Sequence, residues 1–151
     1  MEVYVAYCHL TVPVRFPVTA TVLDLKLKME TYLGLSADKQ DVFLGPQPLR
    51  LEDENVLQNI CQVRDGSTVF LRLKLQVWVK TETERYGLVV YTDNNVLAMK
   101  KRLGERYGLK VENRRLALLD PSTNGLLVLD DRTVLHTINI HLREGIEFLL
   151  V

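Results

Sequence analysis

The chain has 151 residues, 47% of them hydrophobic and 25% charged, with a formal net charge of zero. That length allows one ordinary domain or two small ones, and the balanced charge excludes a global basic field for nucleic acid or an anionic membrane. No apolar run approaches the roughly 20 residues that span a bilayer. The N-terminus lacks a basic leader segment, and Arg15 interrupts its apolar stretch. The only cysteines are Cys8 and Cys61, and no Asn-x-Ser/Thr acceptor occurs. Both features fit a reducing compartment, cytoplasmic or nuclear.

In chain order, Val3 and Val5 alternate with Glu2, Tyr4 and Ala6, a strand with one buried face. Val12, Val14 and Phe16 alternate with Pro13, Arg15 and Pro17. Outward prolines suit an edge strand, since proline cannot donate to a ladder. Thr21 followed by Asp24 has the spacing of a capping box. Val22, Leu25, Met29 and Leu33 then follow at helical spacing, and Gly34 is a helix stop. Val42 to Leu44 reads as a short strand ended by Gly45-Pro46, and Val69 to Leu73 as a closing strand.

The same order then repeats about 74 positions on. Val3-Tyr4-Val5 recurs as Val77-Trp78-Val79, Leu25-Lys26 as Met99-Lys100, Gly34-Leu35 as Gly108-Leu109, and Val42-Phe43-Leu44 as Leu116-Ala117-Leu118. The second copy adds the turn-rich segment from Asp120 to Gly125, after which Leu51-Glu52-Asp53 matches Leu129-Asp130-Asp131. Its own elements are Val77/Val79, Tyr86/Leu88/Val90, a helix from about Asn95 to Tyr107, and Ile146/Phe148/Leu150. The repeat places a boundary between domains 1–74 and 75–151. From Val69 to Val79 the alternation never breaks, and no Gly, Pro or Ser interrupts it. Strand is expected to run into strand there, with a restricted orientation between the halves.

At this point the residues resemble ubiquitin. Gln76-Val77-Trp78-Val79-Lys80-Thr81 looks like its opening strand. Thr21-Val22, Leu25-Lys26, Lys28-Met29 and Gly34-Leu35 look like its helix and helix exit. Asp38-Lys39-Gln40 with Val42-Phe43-Leu44 looks like the approach to its third strand, and Ile138-Asn139-Ile140 like the run before its last. The resemblance covers nearly the whole chain twice. It implies an α+β fold of two tandem ubiquitin-like β-grasp domains, each a mixed sheet packed on one main helix. The tandem arrangement is similar to double-ubiquitin modifiers and to the N-terminal ubiquitin-like pairs of larger adaptor proteins.

The sequence departs from ubiquitin where conjugation would need it. Neither copy ends in the Gly-Gly that threads an activating enzyme's channel, and the sequence stops at Val151. The positions matching two linkage lysines fall on Gln47 and, before the last strands, on Asp65 and Arg143. Lysines persist on the helices at Lys26 and Lys100, where salt-bridge roles are the plainer reading.

Strand alternation locates the outward sheet faces. With Val3, Val5, Val42, Leu44, Val69 and Leu71 inward, Tyr4, Ala6, Phe43, Phe70 and Arg72 point outward. The same logic exposes Trp78, Lys80, Arg115, Ala117, Glu147 and Leu149 in the second copy. Aromatics beside arginine have the composition of an interface hot spot. Tyr4, Phe43, Phe70, Arg72, Trp78, Ala117 and Leu149 are therefore the candidate partner-binding residues.

A secondary basic surface is expected at Lys100, Lys101, Arg102 and Arg106, with Arg114 and Arg115 beyond it. Its plainer reading is a solvated helix face offset by Glu105 and Glu112, and nucleic-acid binding is not expected. His9, His136, His141, Cys8 and Cys61 lack catalytic or metal-ligand spacing. No cofactor, metal, catalytic residue, small-molecule substrate or membrane partner is expected. The resulting expectation is a non-catalytic tandem ubiquitin-like module that recruits protein partners, ubiquitin-pathway components among them, through outward sheet faces. The alternative is a modifier body truncated before a Gly-Gly tail.

Overall fold

A computed structural model describes residues 1–44, 49–60, 66–138 and 144–151. The Gly45-Pro46 strand stop, Gln47, Cys61, Asp65, Asn139-Ile140, His141 and Arg143 lie outside the described residues. The fold is α+β, with mixed sheet and two α-helices. The chain divides into two compact units, Met1–Leu73 and Lys74–Val151.

In the first unit, β1 (Glu2–Tyr7) and β2 (Leu10–Arg15) form an antiparallel hairpin. Helix α1 (Val22–Leu33) follows, then β3 (Gln40–Leu44) and β4 (Leu49–Leu51). The first part of β5 (Thr68–Lys80) lies parallel to β1 and antiparallel to β3. The strand order is β2-β1-β5-β3-β4. Pro13 is exposed on β2, an edge strand where its missing N–H costs no ladder bond.

Helix α1 starts where Thr21 and Asp24 satisfy each other's amides. Asp24 N donates to Thr21 Oγ1 at 3.2 Å, and Thr21 N donates to Asp24 Oδ2 at 2.8 Å. The helix ends at Gly34, whose φ of 68° is left-handed and carries no steric cost without a Cβ. Val3, Val5, Val22, Leu25, Met29, Val42, Val69 and Leu71 form its buried core.

The second unit repeats the pattern. The later part of β5 pairs with β6 (Arg85–Tyr91) and parallel to β9 (Glu147–Leu150). Helix α2 (Val96–Tyr107), β7 (Leu116–Leu119) and β8 (Leu126–Val128) complete the unit. The strand order is β6-β5-β9-β7-β8. Asn95 caps α2 by accepting from Ala98 N at 2.8 Å, and Gly108 ends it at φ 68°. Val77, Val79, Leu88, Met99, Leu103, Leu116 and Phe148 fill the core.

The repetition reaches individual bonds. Lys28 Nζ ties α1 to the Arg15 carbonyl at 2.7 Å, and Arg102 ties α2 to the Val89 carbonyl. Val22 N donates to Asn55 O, as Val96 N does to Thr133 O, each at 2.9 Å. Lys26 pairs with Asp53 at 2.5 Å, as Lys100 does with Asp131 at 3.0 Å.

Two expectations about exposure are corrected here. Lys100 is 4% exposed and is not part of a basic surface, because its side chain is enclosed and its ammonium pairs with Asp131. Ala117 has the outward register but is 0% exposed. Its one methyl is in register between the larger Leu149 and Val128, and so short a side chain reaches less far out than either neighbour.

Candidate protein-binding sheet faces

On the first unit, β1, β5, β3 and β4 bring Ala6, Phe70, Phe43 and Arg50 into one cross-strand row. Phe70 is 46% exposed, while Phe43 directly opposite is half-buried. Tyr4 lies one step away, opposite Thr68, and is also exposed. Arg72 is half-buried and in register with Asp41. Asp41 is buried and pairs with Arg50 at 3.3 Å. The arrangement is an aromatic centre with guanidinium groups beside it. It offers flat apolar area and directional donors, but no convergent nucleophile and base.

The second unit's face is built differently. Trp78 stands in register with Gly87 and Glu147. A Cβ on Gly87 would come within 3.1 Å of the Trp78 ring, so the indole lies across the bare glycine backbone. The Arg85 guanidinium stacks 4.2 Å from the indole centroid and is held by Glu147 at 2.9 Å. Trp78 is thus half-buried within its own unit rather than free. Leu149 is half-buried beside Ala117.

The expected basic helix surface shrinks to two exposed cations. Arg102 is half-buried against the Val89 carbonyl, while Lys101 and Arg106 are exposed. Arg106 lies 5.5 Å from the Tyr107 ring. Arg114, after the helix, donates to Glu82 at 2.7 Å and to the Leu150 carbonyl at 2.8 Å. A hydrogen bond from its own backbone and the Arg114 guanidinium hold the Glu82 carboxyl below the usual glutamate range. A hydrogen bond to Glu84 pushes the Tyr86 phenol up.

Sequence reasoning missed two groups of residues. One is Arg85 and Gly87, the cover and floor of Trp78; the Arg-x-Gly spacing on a strand paired with the tryptophan strand was the available signal. The other is the exposed apolar set Leu119, Leu126, Leu127 and Val128. Its signal was the uncharged Leu-Leu-Val run directly after the turn at Gly125.

Among the described residues, no group of three His, Cys, Asp or Glu side chains could hold a metal ion. No helix among them is long and apolar enough to cross a membrane. No protein-family model matches the chain, and no curated protein matches it significantly.

Proposed function

We propose that the chain is a non-catalytic pair of ubiquitin-like β-grasp domains, acting in the cytoplasm or nucleus, that recruits protein partners through the outer sheet face of the first unit. The single observation carrying this reading is the Phe70–Phe43 pair, two aromatics directly opposed on an open face with Tyr4 and Arg72 beside them. Exposed aromatic area of this kind does little for its own unit's core, and clustered aromatics with arginine are the residues that anchor interfaces. The hairpin, helix and parallel closing strand, repeated in each unit, support the β-grasp reading. Components of the ubiquitin pathway are the proposed partners. The Trp78 face is secondary, because Arg85 already covers the indole.

The test compares Phe43→Ala/Phe70→Ala with Trp78→Ala/Leu149→Ala in pull-downs from lysate, followed by affinity measurement on the captured proteins. The first pair is expected to lose about 2 kcal/mol or more, roughly thirtyfold in affinity, while remaining folded. Retention of every captured protein by the first pair would overturn the proposal.

A further inference from the structure

We infer that β8 is a self-association edge, where a second copy of this chain adds its own β8 antiparallel about Leu127. The backbone sets the geometry. Leu129 N donates to Leu116 O at 2.8 Å, and Asp120 N donates to Gly125 O at 2.8 Å. Hydrogen-bonded pairs in an antiparallel ladder alternate. Leu127, opposite Leu118, therefore turns its N–H and C=O toward β7. The N–H and C=O of Leu126 and Val128 point the other way, off the end of the unit's sheet, where no strand among the described residues pairs with them.

The side chains repeat the message. Leu126 is 51% exposed, Leu127 37% and Val128 45%. Among the described residues the other sheet edges are blunted: β2 carries Pro13 and Arg15, β4 carries Arg50, and β6 carries Arg85. β8 has no charge, proline or glycine. An uncharged edge with unpaired amides is a template for another strand.

Self-complementarity selects a second copy as that strand. A two-fold axis beside Leu127 places Leu126 of each copy opposite Val128 of the other. Those are the residues whose N–H and C=O face outward, so four hydrogen bonds form with no change in register. The next residues brought face to face are Gly125 with Leu129 and then Asn124 with Asp130, so no like charges meet. Three residues a side fall short of the roughly 1,200–2,000 Å² of a stable interface, and the association is weak and concentration-dependent.

Sedimentation of the whole chain between about 1 μM and 1 mM tests this. The parent should shift toward twice its monomer mass as concentration rises. Val128→Pro removes an outward N–H without touching the β7 ladder, and Leu126→Lys puts a charge on the edge. Both variants should stay monomeric throughout with an unchanged circular-dichroism spectrum. In a mixed isotope-labelled sample of the parent, an intermolecular contact between the Leu127 α-protons should appear. A parent that remains monomeric overturns the inference, including one that instead accepts an extended peptide at β8. Association that survives both folded variants also overturns it.

Discussion

Lys100 Nζ stands 3.0 Å from Asp131 Oδ1, with the lysine side chain almost fully enclosed and the aspartate half in solvent. Removing either partner should therefore have unequal effects. Asp131→Asn leaves an enclosed ammonium without its counter-charge and should cost about 1–3 kcal/mol. Lys100→Met leaves a carboxylate that water can still reach, and should cost less. Denaturant unfolding followed by the fluorescence of Trp78, the lone tryptophan, reads both variants. Equal losses would contradict the asymmetry.

Arg85→Ala should uncover Trp78. The guanidinium on the indole face is worth about 0.5–1 kcal/mol at an exposed site. Acrylamide should quench the variant's fluorescence more efficiently than the parent's, with a loss of stability in that range. Unchanged quenching would mean that Arg85 does not shield the ring.

Phe43 and Phe70 should couple. As a directly opposed cross-strand pair they should show an interaction energy of about 0.2–1 kcal/mol in a double-mutant cycle on stability. Additive single substitutions would indicate that the opposed pair carries no coupling energy.

The two helix caps invite a paired test. Thr21→Ala and Asn95→Ala should each cost about 1 kcal/mol. Amide hydrogen exchange in Val22–Leu33 reads the first, and the Trp78 unfolding transition reads the second. A cap that can be removed without either change is not supporting its helix.

Glu82 should titrate below an ordinary glutamate, and Arg114→Gln should move its midpoint part of the way back up, as followed by carboxyl NMR. A lowered folded-state value means that the contribution to stability is complete above the ordinary glutamate value. It is lost as pH falls through the lowered one. A midpoint unmoved by the substitution would assign the shift to the backbone hydrogen bond alone.

Local chemistry was readable wherever one residue type decides the backbone. Thr21 with Asp24, Gly34 and Gly108 marked the helix ends because capping and left-handed φ demand those side chains or their absence. Alternation likewise placed Val3, Val5, Val69 and Leu71 inside. It could not foresee that Ala117 would be covered, because period two fixes which face a residue is on and not how tall its neighbours are. A salt bridge was the plainer reading of Lys100, but its enclosure, and the cover over Trp78, escaped for a related reason. Their environments come from Asp131 and Arg85, partners on other elements whose approach depends on tertiary packing.

The turn between β7 and β8 ties itself together. Asp120 N donates to Gly125 O, Asn124 N to Asp120 O at 2.9 Å, and the Ser122 hydroxyl and amide both donate to the Asp120 carboxylate, holding it below the usual aspartate range. Only Asn124, at φ 56°, takes up a left-handed backbone there. A segment closed by its own bonds can change length without sliding the strands that flank it. That makes Asp120–Gly125 a place where residues can be added while the sheet stays the same, and a natural point for grafting a short epitope or a reporter sequence.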